Sequence, residues 1–83
     1  MLHVIDVRPL QTYVLWLRFS DGAEGLVDLA AELEGTVFKP LRDPHLFAEV
    51  RIDKEIGTIT WPNGADFAPE FLRELMIGTA NKQ

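Results

Sequence analysis

A strand, a chain reversal and a helix start are forced into one short segment, Thr58-Ile59-Thr60-Trp61-Pro62-Asn63-Gly64-Ala65-Asp66-Phe67-Ala68-Pro69-Glu70-Phe71-Leu72. Thr58, Ile59 and Thr60 are β-branched and, with Trp61, favour a pleated, half-buried surface. Pro62 withholds the donor that a continuing ladder needs, so the strand stops there. Asn63-Gly64 is a pair suited to positive φ at two consecutive positions, which makes a tight reversal the expectation. Beyond it, Asp66 or Ala68 is placed to begin a helix, with Pro69 in the first turn, where a missing N–H costs nothing. The segment constrains architecture and assembles no chemistry.

The rest of the chain reads outward from that frame. His3 to Leu10 is expected to form a first strand, with Pro9 near its end, and Gln11-Thr12 a tight connection. Tyr13 to Phe19 is the most apolar strand, with Tyr13, Leu15, Leu17 and Phe19 on one face and Val14, Trp16 and Arg18 on the other. Two largely apolar faces predict a central strand covered on both sides. Ser20-Asp21-Gly22 supplies turn chemistry, and Ala23 to Asp28 returns to complete a three-stranded meander. Asp28 is expected to cap a short helix over Leu29–Glu34 that Gly35 terminates. Thr36 to Pro44 reads as a loop anchored by Val37, Phe38 and Leu41, with Asp43-Pro44 starting another helical turn.

Phe47 to Asp53 alternates as a fourth strand, with Ala48, Val50 and Ile52 on one side and Phe47, Glu49, Arg51 and Asp53 on the other. Lys54 to Gly57 turns it into the strand ending at Trp61, completing a C-terminal hairpin. The last helix is expected over Pro69–Ile77, burying Phe67, Phe71, Leu72, Leu75 and Met76 and leaving Glu70, Arg73 and Glu74 in water. Gly78 ends it, and residues 78–83 form a polar tail. The expected fold is therefore a single α+β domain over residues 1–77. Its sheet is small and mostly antiparallel, made of the meander and the hairpin, with short helices of which the C-terminal one packs on the sheet.

At 83 residues the chain holds one domain, near the size at which a single core only just offsets chain entropy, so a symmetric homodimer is expected to help complete it. No apolar run approaches bilayer length, and no basic region followed by a long apolar core opens the chain; no membrane contact is expected, and the cytoplasm is the expected compartment. Without cysteine there is no disulfide framework, thiolate nucleophile or sulfur-ligated zinc. Thirteen acidic residues against eight basic ones give a formal charge of −5, spread along the chain. No Lys/Arg cluster of the kind that displaces counterions from phosphate is visible, so direct nucleic-acid binding is not expected. The charge is compatible with a small basic protein as partner.

His3 and His45 share no metal-ligating spacing, Ser20 lacks the flanking glycines of a nucleophile elbow, and the six glycines form no phosphate loop. No catalytic residue, metal ligand or cofactor is assigned. Asp28, Asp53 and Asp66 stand at element ends, where carboxylates serve acid–base chemistry but more often turns and caps. Trp16 and Arg18 are the candidate interaction residues, a Trp/Arg pair of the type enriched at interface hot spots. Trp61, Asn63, Gly64, Asp66 and Pro69 are the motif turn and helix cap.

That motif resembles the bacterial domain-of-unknown-function family 2442, whose pattern is Trp-x-Asn-Gly-x-Asp followed by a Pro-x-x-Leu helix start. Phe19-Ser20-Asp21-Gly22, Asp28-Leu29, Gly35, Phe38 and Leu41-Arg42-Asp43 are similar too, so the resemblance spans residues 2–76. It implies an α+β fold and no established catalytic activity. Members resemble one another in gene context, some lying in what look like toxin–antitoxin pairs and some being followed by a helix-turn-helix, a fused form that is not the expectation here. The resulting expectation is a non-enzymatic protein-interaction module, the antitoxin-like member of a pair. The alternatives are a small-molecule-binding or sensor domain of a regulator acting in trans, and a small enzyme using Asp66 and Asp53.

Overall fold

The computed structural model describes residues 1–76. Strands β1 (Val4–Gln11), β2 (Val14–Phe19) and β3 (Glu24–Asp28) form an antiparallel meander in the order β1-β2-β3, and β4 (Arg51–Asp53) pairs with β5 (Thr58–Thr60) in a second, two-stranded sheet. The helices are single turns, α1 (Gly35–Phe38) and α2 (Pro44–Phe47), plus a seven-residue α3 (Pro69–Leu75). Two 3₁₀ turns, Ala30–Glu32 and Lys39–Arg42, fill the connection between the sheets. This is the α+β architecture expected, with the C-terminal helix against the meander beside β3.

Alternation along β2 sends Leu15, Leu17 and Phe19 into a core completed by Val4, Val27, Leu29, Leu33, Leu41, Phe47, Ile59, Trp61, Ala65, Phe67 and Leu72. Arg8, Arg18 and Leu26 remain exposed on the opposite face and Trp16 is half-buried. The strand is central, but only one of its faces is covered. Register shifts in β1 between Val4 and Asp6 and between Pro9 and Gln11 leave Ile5 and Leu10 as extra residues, both largely exposed. The β1–β2 turn is a two-residue reversal in which Tyr13 adopts φ +67°, the one non-glycine residue with positive φ among those described. Tyr13 therefore belongs to the turn and not to the strand. Its hydroxyl donates to the Arg42 carbonyl, and its ring meets Phe47 edge-on at 5.5 Å, which ties the left-handed turn to the middle of the chain.

The middle segment departs most from expectation. Leu29–Glu34 forms only the 3₁₀ turn, with Leu29 and Leu33 buried on either side of it, and Asp28 accepts from the Ala30 N–H in a local Asx turn. Gly35, at φ +85°, opens α1 and does not close the preceding turn. Pro44–Phe47 is helical, with the Asp43 side chain accepting from the His45 N–H, so the fourth strand begins only at Arg51. Phe47, expected on the polar side of a strand, is buried beside Trp61. The expected end of the last helix at Ile77 and Gly78, and the tail over 78–83, lie outside the described residues.

The two sheets meet where β1 starts. Val4 N–H donates to the Gly57 carbonyl at 2.9 Å, and Ser20 N–H to the His3 carbonyl at 2.8 Å. Gly57 has φ +71°, and a Cβ there would stand 2.4 Å from His3 Cδ2. Gly57→Ala is expected to cost about 1–2 kcal/mol in chemical denaturation, combining backbone strain with the clash. In the His3→Ala background the clash is gone and the strain remains, so the penalty should shrink without vanishing; an unchanged penalty would show that His3 is no obstacle.

Candidate functional site

The interaction pair expected from the sequence sits on the open face of the meander. Arg8 on β1 and Leu26 on β3 are the cross-strand partners of Trp16. The guanidinium groups of Arg8 and Arg18 both lie 5.4 Å from the centroid of the Trp16 ring. Each such contact is worth about 0.5–1 kcal/mol at an exposed site, enough to hold the indole and the two side chains in register. Leu10, displaced by the bulge after Pro9, joins Arg8, Trp16 and Arg18 around a shallow depression of about 310 Å³. Arg18 also has Glu24 at 3.7 Å, with both side chains about half-exposed. Arg8 and Leu10 are members that sequence reasoning missed. Arg8 was legible as an i, i+2 neighbour of Asp6 on a strand, but its pairing opposite Trp16 follows from a bulge that leaves no pattern in the sequence.

The motif turn is built differently. Gly64 N–H donates to the Trp61 carbonyl at 2.9 Å and Trp61 N–H to the Ala65 carbonyl at 3.0 Å, while only Gly64, at φ +89°, is left-handed. This is a three-residue reversal closed by a glycine, not a pair of positive-φ residues. Asn63 binds twice: Oδ1 accepts from Ala65 N–H at 3.2 Å and Nδ2 donates to the Val37 carbonyl at 2.9 Å. Thr58 and Thr60, both buried, donate to the carbonyls of Phe67 and Ala65. Trp61 is buried, and its Nε1 donates to the Phe47 carbonyl at 2.8 Å.

Asp66 does not cap α3. It is exposed and bridges Thr60 through the backbone, while Ala68 holds the N-cap position without a side-chain bond and Pro69 occupies the first turn. Asp53 pairs with Thr58 on the other flank of β5, and its carboxylate accepts from Glu55 N–H. The register puts one strand and two residues between Asp53 and Asp66, about 12 Å between Cα atoms. At that separation the two carboxylates do not meet and do not share a proton. Among the described residues no group of three His, Asp or Glu side chains is placed to hold a metal ion. No described helix is long and apolar enough to cross a membrane.

Arg73, expected in water, lies over the Phe19 ring at 5.5 Å and donates to Asp21 at 3.0 Å, fastening α3 to the β2–β3 turn. The Ala23 N–H first, and the Arg73 guanidinium second, hold the Asp21 carboxyl below the usual carboxylate range. A depressed acid favours the folded state above its ordinary titration range and loses that contribution as pH falls through the folded value. An NMR titration should find Asp21 titrating low in the wild type and only partly restored in Arg73→Ala, because the Ala23 donor stays. Asn63→Ala, which removes both bonds of that side chain, should cost about 1–2 kcal/mol in thermal or chemical denaturation. Asp66→Asn, which touches no side-chain partner, should stay within about 0.5 kcal/mol.

No curated protein and no solved structure matches the chain. The model of one family, described as a protein of unknown function (DUF2442), matches residues 4–78, which takes in every strand and helix above. The chain belongs to that family.

Proposed function

We propose that this protein is a non-enzymatic interaction module that docks a partner protein on the open face of its meander. The observation that carries the reading is the Trp16 platform: a large indole left out of the core, with two guanidinium groups against its ring, on a sheet face with no layer above it. Aromatic and arginine side chains at the centre of an apolar surface are the residues that dominate binding energy at protein interfaces. Leu26, 42% exposed, and Leu10, 56% exposed, supply the apolar surround. No comparable observation favours the enzyme reading: Asp53 is engaged in a turn, and Asp66 stands across β5 from it without sharing a proton.

The partner is a small basic protein, drawn in by the net charge of −5, and the role is antitoxin-like: occlusion of a working surface on that partner. Charge at this distance raises the encounter rate, while Trp16 and its neighbours decide how long the complex lasts. Complexes isolated from the native host should contain one protein in stoichiometric amount with this chain. Trp16→Ala should lose that protein while melting within a few degrees of wild type, and Asp66→Asn should retain it. Retention by Trp16→Ala would move the docking surface elsewhere, and loss by Asp66→Asn alone would return the motif turn to consideration as the site.

A further inference from the structure

We infer that the segment docking on this face is acidic. It brings a carboxylate to Arg8 and an apolar side chain onto Trp16 between Leu10 and Leu26. The inference rests on the reading of the meander face as a docking surface and adds the chemistry of what covers it. Among the described residues Arg8 and Arg51 have no carboxylate within 4 Å, whereas Arg18, Arg42 and Arg73 each have one, and of the first two only Arg8 lies on the meander. A guanidinium lying against an indole keeps its N–H edges directed outward, the geometry that a carboxylate accepts in bidentate fashion. The Arg18–Glu24 contact, at 3.7 Å with both side chains about half-exposed, is loose enough to exchange for a partner's carboxylate.

Other occupants fit the two arginines less well, and the acidic segment must itself seat its carboxylate at Arg8, clear of the Asp6 and Glu24 carboxylates beside Arg18. A second copy stacking its own Trp16 here would bring two more guanidinium groups into the same patch, like charges that an interface penalises. A nucleic acid could stack a base on Trp16, but it needs a cationic track along its phosphates, and Asp6 opposite Arg18 and Glu24 beside it interrupt one. A basic segment would leave Arg8 facing a cation. The net charge of −5 does not conflict with an acidic contact, because the two act at different ranges: the whole-chain field steers a basic protein toward this one, and the two arginines select the part of it that lands.

Short peptides of alternating leucine and glutamate, leucine and lysine, or leucine and glutamine, titrated into the full chain, test this with the Trp16 indole N–H resonance as reporter. The buried Trp61 indole serves as internal control. The glutamate peptide should shift Trp16 saturably, and Arg8→Glu with Arg18→Glu should weaken it by about tenfold or more while admitting the lysine peptide. Equal or tighter binding of the lysine peptide to wild type overturns the inference. So does the absence of any saturable shift at millimolar peptide, a shift mapping to another surface, a Trp16-dependent dimer in sedimentation, or an oligonucleotide that moves the same resonance. If the host partner is lost by Trp16→Ala yet indifferent to the sign of residues 8 and 18, the docking surface stands and its acidic occupant falls. If the partner is indifferent to Trp16 as well, both fall together.

Discussion

Burial of Trp61 is the constraint on which the rest of the structure depends. Two sheets of three and two strands are each too small to bury a core alone, and the helices between them are single turns that are not stable by themselves. The indole joins them: its ring touches Phe47 from α2 and Phe67 from the approach to α3, and its N–H satisfies the Phe47 carbonyl. Phe47 passes the contact to Tyr13 in the meander, and Phe67 stacks against Phe38 and Phe71. One connected set of rings therefore reaches the β1–β2 turn, α1, α2, the turn after β5 and α3. Asn63 and the two buried threonines satisfy backbone carbonyls around it, which a low-dielectric interior requires.

Whatever was set by local chemistry was legible in the sequence. The meander followed from strict alternation in Leu15, Leu17 and Phe19 and from Asp21-Gly22, and the hairpin end from Thr58 to Trp61 followed by Pro62. Failures came where a tertiary partner outweighed a local pattern. Phe47 to Asp53 alternates like a strand, yet Asp43 caps a turn at Pro44 and Trp61 takes the Phe47 carbonyl, so the first residues coil instead. Asp66 has the composition of a helix cap, but its backbone is claimed by Thr60. Tyr13 reads as a strand residue, and its left-handed turn is held by Arg42, twenty-nine positions away. No local window contains that information.

The two tryptophans separate what the fold needs from what it leaves free. Trp16 lies within β2 and Trp61 directly follows β5, each beside β-branched or aliphatic neighbours, and composition alone does not distinguish them. Trp61 is followed by a turn that folds the chain back over it, while Trp16 sits mid-strand in a sheet whose single core lies on the other side. Arg18 reaches it as the i+2 neighbour on the same strand, whereas Arg8 reaches it only because the bulge after Pro9 shifts the register of β1. The whole-chain charge conceals this face as well. A count of thirteen acids and eight bases says nothing of two guanidinium groups meeting on one ring.

A chain of this length can cover one face of a meander, and it spends its longest helix and its aromatic rings on that task. The outer face is then under no demand from the core. Polar residues at every outward position would satisfy it and would guard against aggregation. Instead it carries Trp16, Leu10 and Leu26 with arginines on either side. Those choices cost solubility and contribute little to stability beyond two surface cation–π contacts. Residues that the fold neither requires nor benefits from much are free to serve a contact outside the chain, and that freedom favours the docking surface proposed at Trp16 over the more distinctive motif around Trp61.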